Sequence, residues 1–225
     1  MSKLLTPSIV RMPGLLEERA NMINVLGCER IHIDVSVGYS IPDFFVCGQF
    51  SLAERSLFNA PADFHVFRQG EDESYGALPF RSGDRLILHM FPWTKPESMI
   101  TVVSHFRERG FAGGLSLDLG VSLKSLMPSL ISMDVALIMG IEAGGYGAPL
   151  NQKALATLTE CRAMIQAGHL AINLGIDGGV NAGTFEPLAR LCDFLVIGGL
   201  LFNAPDIVMQ WRSLNTWMRR IEYAK

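Results

Sequence analysis

The segment Ile31-His32-Ile33-Asp34-Val35 is the clearest strand in the sequence, and it carries two polar side chains. Three β-branched apolar residues in five predict a short buried strand. Side chains two positions apart on a strand point to one face, so His32 and Asp34 project together, away from the three apolar residues. A buried imidazole and a buried carboxylate are costly unless something satisfies them. A divalent metal would do so, and an ordinary hydrogen-bonded His–Asp pair is the alternative.

Short apolar runs alternate with longer amphipathic segments along the whole chain. The amphipathic segments have apolar residues spaced by three and four, which indicates helices. Eight strands, each followed by a helical segment, predict a (β/α)8 TIM barrel made by one α/β domain over residues 1–225. A doubly wound open sheet is the rival, but no G-x-G-x-x-G motif follows the first strand. The predicted strands span residues 4–10, 31–35, 62–66, 85–89, 112–118, 134–139, 171–177 and 193–197.

The composition excludes several classes of protein. Hydrophobic residues make up 49% of the 225 residues and charged residues 18%, which indicates a large core and argues against a disordered chain. The formal net charge is -3 without a run of one sign, so we expect neither nucleic acid nor a membrane surface as a partner. No segment has the pattern of a signal peptide or a membrane span, and the four cysteines lack C-x-x-C spacing. We therefore expect a cytoplasmic protein with reduced thiols.

Several chemically capable side chains fall at the carboxyl ends of predicted strands, where barrels of this kind carry out their chemistry. The third strand contains His65, the fourth ends at His89, and the fifth and seventh end at Asp118 and Asp177. If the barrel brings some of them together, two nitrogen and two oxygen ligands would suit Zn²⁺, Mn²⁺, Fe²⁺ or Co²⁺. A metal-free network of salt-linked histidines and aspartates is the alternative. The four candidate ligands are His32, Asp34, His65 and Asp177.

Glycine-rich turns follow the last three predicted strands. They contain residues 144–147 (GGYG), Gly178-Gly179 and Gly198-Gly199. Glycine lets backbone N–H groups approach an anion closely, and the loops after strands seven and eight commonly hold phosphate in these barrels. Tight strand-to-helix turns without a ligand are the alternative. Arg68 could also lie near this rim, although a solvated side chain is the simpler interpretation.

Six short motifs occur in a fixed order along nearly the whole chain: 6–9 (TPSI), 31–35 (IHIDV), 64–66 (FHV), 134–139 (DVALIM), 177–181 (DGGVN) and 198–202 (GGLLF). They are similar to the A-P-S-I-L, H-x-D, D-V-H-L, D-L-V-L-I-M, D-G-G-V-N and G-S-x-x-F motifs of the ribulose-phosphate 3-epimerase family. The D-G-G-V-N turn matches residue for residue. The sequence therefore resembles a divergent member of that family.

The resemblance implies a ribulose-phosphate-binding type of (β/α)8 barrel and a divalent metal, with zinc as the first choice, held by His32, Asp34, His65 and Asp177. It also implies that Asp34 and Asp177 act as an acid–base pair on opposite faces of a phosphorylated ketose. A metal near the ketone would stabilise the enediolate formed when the neighbouring proton leaves. Family habit suggests a homo-oligomer. The implied substrate contacts are Ser8, His65, Met139, Gly147, Gly178, Gly179, Gly198 and Gly199.

The chain departs from the family pattern around the sugar. Ser36-Val37 replaces M-D, Phe67 replaces a methionine, and residues 118–121 (DLGV) replace N-P-x-T. Residues 142–148 (EAGGYGA) replace N-P-G-F-G-G-Q and bring in Glu142, a negative charge near the expected phosphate. The leading hypothesis is a metal-dependent 3-epimerase of a ketose phosphate, with ribulose 5-phosphate as the first candidate. A hexulose 6-phosphate epimerase and a non-catalytic sugar-phosphate-binding paralogue are the alternatives. A related decarboxylase would have D-x-K-x-x-D, but Ser36 stands in place of that lysine.

Overall fold

A single sheet of parallel strands organises the molecule. The computed structural model describes residues 3–38, 44–46, 49–68, 74–123 and 132–223. Within them, nine strands are hydrogen-bonded in the order β1-β9-β8-β7-β6-β5-β4-β2-β3, and every neighbouring pair is parallel. The strands are β1 Leu4–Pro7, β2 Ile31–Val37, β3 Phe45–Val46, β4 Ala62–Arg68, β5 Arg85–Met90, β6 Ala112–Leu117, β7 Val135–Met139, β8 Asn173–Asp177 and β9 Phe194–Ile197.

The sheet closes into a barrel of eight strands. A parallel bridge between Ser8 and His32 joins the end of β1 to β2, so the two edges of the sheet meet. The ninth strand, β3, has only two residues and pairs with Val35 and Ser36 outside the ring. The predicted (β/α)8 barrel is therefore confirmed, whereas the sequence pattern did not indicate β3.

Helices follow most strands and pack on the outside of the ring. The helix Leu16–Leu26 ends at Gly27, which has φ +61°, a conformation that glycine adopts without strain. The helix Leu52–Ser56 begins with a capping box between Ser51 and Glu54. No described helix has both the length and the apolar character that crossing a membrane requires. The remaining α-helices are Pro96–Glu108, Gln152–Ala167, Phe185–Leu191, Gly199–Phe202 and Ile207–Tyr223.

Some predicted boundaries were wrong. The first strand ends at Pro7 rather than at residue 10, because Ile9–Arg11 turn into a short 3-10 helix. The strand with His32 and Asp34 extends to Val37, two residues beyond the prediction, and the seventh barrel strand begins at Asn173 rather than at residue 171. The sequence also predicts a helix over 122–131 and a loop over 38–48, and most of both segments lies outside the described part of the chain.

The strands separate two apolar regions. Outward-facing residues such as Ile31, Ile33 and Val35 are fully buried against the helices, in the main core of the protein. Inside the barrel, a smaller cluster of Ile87, Val135, Leu137, Phe194 and Val196 fills the lower half.

An ion pair lies at the amino-terminal end of the barrel, below that smaller cluster. Arg85 donates two hydrogen bonds to Asp63, at 2.7 and 2.6 Å, and its guanidinium lies 4.9 Å from the centre of the Phe194 ring. The open cavity described below lies at the other end, at the carboxyl ends of the strands.

Candidate active site

A cavity of about 660 Å³ lies at the carboxyl ends of the strands. Both Asp34 of β2 and Asp177 of β8 line it, together with Ser8 and Met139. The loops after β7, β8 and β9 supply most of the remaining lining, including Ile141, Glu142, Tyr146, Gly147, Gly178, Gly179, Val180, Asn181, Gly198, Gly199, Leu200 and Asn203. The cavity thus lies where the (β/α)8 architecture places catalytic groups.

Four side chains from three strands converge at the base of this cavity. His32 Nε2 lies 3.1 Å from Asp34 Oδ1 and 3.3 Å from His65 Nδ1. Asp177 Oδ2 completes the group at 3.5 Å from His32 Nε2 and 3.6 Å from His65 Nδ1. The four residues that the sequence singled out as candidate ligands are therefore neighbours in space, with one ligand atom each within 4.8 Å of all the others.

The register of the strands produces this convergence. Asp34 is paired with His65 across β2 and β4, so the two side chains point to the same side of the sheet. His32 lies one inward position lower on β2 and is bridged to Ser8. The hydroxyl of Ser8 in turn donates a hydrogen bond of 3.3 Å to Asp34 Oδ2.

The electrostatics of the cluster favour positive charge at its centre. Burial alone would lower the pKa of His32, but the charge of Asp34 and hydrogen bonds to both aspartates raise that pKa to about 10. Burial would raise the pKa of each carboxyl group, yet the adjacent imidazoles hold the pKa of Asp34 and of Asp177 below its usual range. The metal-free cluster is therefore a cationic imidazole between two carboxylates.

The same donor atoms fit a divalent metal. Two imidazole nitrogens and two carboxylate oxygens are a set that zinc and other first-row metals bind. Ligand bonds of about 2.0 to 2.2 Å in a tetrahedral arrangement place neighbouring donors roughly 3.4 Å apart. His32 Nε2 lies 3.1 to 3.5 Å from the nearest ligand atoms of Asp34, His65 and Asp177. His65 Nδ1 lies 3.1 Å from Asp34 Oδ1 and 3.6 Å from Asp177 Oδ2, so these separations are close to the tetrahedral value.

His65 contacts groups on both sides of its ring. Its Nδ1 faces the four-residue cluster, and its Nε2 lies 3.1 Å from Nδ1 of His89 on β5. The ring is fully buried and packs against Phe67, with ring centres 4.2 Å apart. Phe67, not His65, is among the described residues that line the cavity, and the substrate contact expected of His65 stays a prediction.

The other substrate contacts implied by the resemblance all line the cavity: Ser8, Met139, Gly147, Gly178, Gly179, Gly198 and Gly199. Gly178 has φ +89° and Gly179 φ +72°, which an L side chain rarely adopts. Within the described residues, the N–H groups of Gly178, Gly179, Gly198 and Gly199 make no backbone hydrogen bond. These four N–H groups are therefore free to bind an anion in the cavity.

Several cavity residues were missed or misjudged from the sequence. Phe44 and Tyr146 form an aromatic wall with Phe67, with ring centres 4.8 Å apart for Phe44 and Phe67 and 6.4 Å apart for Phe44 and Tyr146. Asn203 lines the cavity four residues after Gly199, where it caps the carboxyl end of the short helix Gly199–Phe202. Arg68, interpreted as a solvated residue, is buried with 6% of its surface exposed.

Comparison with known proteins agrees with this arrangement. A model described as the ribulose-phosphate 3 epimerase family matches residues 4–202. The ribulose-phosphate 3-epimerase of Mycobacterium tuberculosis is 26% identical over 205 residues, which cover 90% of this chain and 87% of that protein. Ribulose-phosphate 3-epimerase 1 of Cupriavidus necator is 28% identical over 211 residues, covering 90% of this chain and 85% of that protein.

Solved structures share the fold at much lower identity. The 3-keto-L-gulonate-6-phosphate decarboxylase of Vibrio cholerae has a TM-score of 0.68 at 10% identity and covers 98% of this chain. That chain is itself covered to 99%, so the likeness extends over the whole barrel. Because the family model spans nearly all of the barrel and these relatives match over most of their length, this chain belongs to the ribulose-phosphate 3-epimerase family of isomerases.

Proposed function

We propose that this protein is a metal-dependent 3-epimerase of a phosphorylated ketose, with ribulose 5-phosphate and xylulose 5-phosphate as the first candidates. The observation that carries the proposal is the pairing of two cavity-lining carboxylates, Asp34 and Asp177, with two imidazoles on one centre. A divalent metal, with zinc as the first candidate, would be held by His32, Asp34, His65 and Asp177 and would supply positive charge to the enediolate oxygens.

The two aspartates move the proton. Asp34 comes from β2 and Asp177 from β8, with β1 and β9 between them in the ring, so they approach a substrate from different sides. Asp34 takes the C3 proton from one face of the ketose, and Asp177 returns a proton to the opposite face. Because the pKa of Asp177 is low in the metal-free cluster, Asp177 takes up this proton from solvent only in the substrate complex. The configuration at C3 inverts, and each aspartate ends in the protonation state from which the other began. The reverse reaction exchanges these two roles.

The glycine turns bind the phosphate. Gly178, Gly179, Gly198 and Gly199 line the cavity together with Gly147, and their N–H groups would bind the phosphate oxygens. No lysine or arginine is among the described residues that line the cavity. Recognition of the phosphate therefore depends on backbone dipoles, while Ser8 and Met139 contact the sugar beside the aspartates.

The aromatic wall decides which ketose fits. Phe67 stands where the family has a methionine, and Tyr146 lies in the segment that replaces N-P-G-F-G-G-Q, so the wall around the sugar has changed while the acid–base pair has not. A hexulose 6-phosphate is the second candidate, because it would place the same C2–C3 unit on the aspartates and differ only along this wall. Parallel assays with pentulose and hexulose phosphates separate the two.

The test follows hydrogen exchange at C3. Protein with measured metal content is incubated in D₂O with ribulose 5-phosphate, xylulose 5-phosphate or a hexulose 6-phosphate, and deuterium at C3 is followed by NMR. We expect the wild type to exchange and invert one epimeric pair. Asp34→Asn and Asp177→Asn should each lose inversion by at least about 100-fold, and each should exchange only the epimer whose proton faces the remaining aspartate.

The matched control is Asp134→Asn, which changes an aspartate at the opposite end of the barrel, where Asp134 accepts a hydrogen bond from Arg107. It should exchange and invert like the wild type. Full metal occupancy without exchange in any ketose would refute the epimerase and favour sugar-phosphate binding without catalysis. Exchange of both epimers by either single variant would refute the two-base scheme.

A further inference from the structure

A line of hydrogen-bonding groups runs from the four-residue cluster into the barrel wall. His65 Nε2 lies 3.1 Å from His89 Nδ1, on the side of the ring away from Asp34. His89 Nε2 in turn faces Asp118 Oδ2 at 3.8 Å. The three residues come from β4, β5 and the end of β6, and neither His89 nor Asp118 is among the described residues that line the cavity.

The position of Asp118 is itself well determined. Its N–H donates to Met90 O at 3.1 Å, which ties it to the residue that follows His89. Its Oδ1 accepts a hydrogen bond of 2.8 Å from the N–H of Leu119. The other oxygen, Oδ2, is therefore the one presented to His89.

The ring of His89 has little freedom to turn. It is fully buried, it stacks on Phe67 with ring centres 4.2 Å apart and planes 24° apart, and Phe91 meets it edge-on at 4.5 Å. His89 Nε2 is buried and has no hydrogen-bond partner within the described residues. The carboxylate oxygen Oδ2 of Asp118, at 3.8 Å, is an acceptor that faces it. A carboxylate facing this nitrogen favours the tautomer with the proton on Nε2.

We propose that His89 and Asp118 are positioning residues that fix the tautomer of His65. Asp118 places the His89 proton on Nε2, which leaves His89 Nδ1 as an acceptor. His65 then donates its Nε2–H to His89 and presents the lone pair of Nδ1 to the centre shared with His32, Asp34 and Asp177. The inference rests on the metal centre of the proposed function, because a ligating imidazole needs its other nitrogen held in this way.

Two measurements test the relay. In Zn²⁺-loaded protein labelled with ¹⁵N-histidine, long-range ¹H–¹⁵N correlations report which nitrogen of His89 carries the proton, and we expect Nε2. The second measurement is the Zn²⁺ affinity of each variant, obtained by competition with a chromogenic chelator. His89→Phe keeps the stacking on Phe67 but cannot accept, and should bind Zn²⁺ about 10- to 100-fold more weakly. His89→Gln offers an amide oxygen and should recover part of the loss.

Asp118→Asn provides the sharpest discrimination. The variant is isosteric, and its amide can still accept from the N–H of Leu119 while presenting NH₂ instead of oxygen to His89. It should weaken Zn²⁺ binding when His89 is present and have no further effect in the His89→Phe background, because its influence passes through that ring. The control is Ser116→Ala, which removes a buried hydroxyl at the register position of His89 on the neighbouring strand and should leave the affinity unchanged.

The outcomes separate this inference from the proposed function. A His89 proton on Nδ1, wild-type affinity in His89→Phe, or an equal effect of Asp118→Asn in both backgrounds would overturn the relay while leaving the metal centre intact. A wild-type protein that binds no Zn²⁺ or other first-row divalent metal would refute the metal centre and, with it, the relay that serves it. Thermal unfolding of the metal-free variants identifies any that fail to fold.

Discussion

Gly178 is a position where a single added methyl group should strongly perturb the active-site loops. A Cβ built there would lie 2.4 Å from Cγ1 and 2.9 Å from Cδ1 of Ile141, and Ile141 is itself buried. The φ angle of Gly178, +89°, adds the cost of a left-handed conformation, about 1 to 2 kcal/mol for an L residue. Forcing a methyl group into packed atoms costs about 1 to 3 kcal/mol more. We therefore expect Gly178→Ala to lower the free energy of unfolding by about 2 to 5 kcal/mol.

Gly144→Ala is the matched control, because Gly144 has φ +79° but no atom within 4 Å of its Cβ position. It should lose only the conformational part, about 1 to 2 kcal/mol. Urea unfolding of both metal-free variants measures the difference. Combining Gly178→Ala with Ile141→Ala should cost less than the sum of the two single changes, because the clashing atoms are gone. Equal destabilisation by Gly178→Ala and Gly144→Ala would refute the reasoning.

Three further predictions concern other parts of the molecule. Asn203 Nδ2 lies 3.2 Å from the Cβ position of Gly199, so Asn203→Leu should weaken binding of inorganic phosphate by about tenfold or more in calorimetry, without lowering Zn²⁺ affinity. Arg85→Leu leaves the buried carboxylate of Asp63 with Arg30 alone and should cost about 3 kcal/mol in urea unfolding; an unchanged midpoint would contradict this. Burial lowers the pKa of His89 to about 4, so the unfolded chain takes up this proton first as the pH falls. Stability of the metal-free protein should drop by about 3 kcal/mol more between pH 6.5 and 4 than that of His89→Gln.

The barrel was predictable because its strands are short apolar runs at regular intervals. The pattern of Ile31, Ile33 and Val35 facing out, with His32 and Asp34 facing in, is visible in five letters of sequence and is what the structure contains. The strand ends were less predictable. Apolar residues 9 and 10 are as suitable for a strand as for the 3-10 turn that they form, and only the tertiary structure distinguishes these states.

The convergence of the four candidate ligands followed from the fold, since strand ends in a closed barrel must meet. What the sequence could not give was the wall of the cavity. Phe44, Tyr146 and Asn203 lie on loops, and the direction of a loop side chain depends on backbone angles that carry no periodic signal. Arg68 was misjudged for a related reason, because whether an arginine at a strand end is buried depends on its tertiary surroundings, which its place in the sequence does not indicate.

The apolar cluster that fills the lower half of the barrel has a consequence for how ligands enter and leave the cavity. Phe194 and its apolar neighbours, together with the Arg85–Asp63 pair, fill the amino-terminal end of the interior, so the cavity among the described residues opens at the carboxyl ends of the strands. A bound ligand must therefore leave the cavity before another ligand can bind there. The two epimers should consequently exclude each other, and each should act as a strictly competitive inhibitor of the other's conversion.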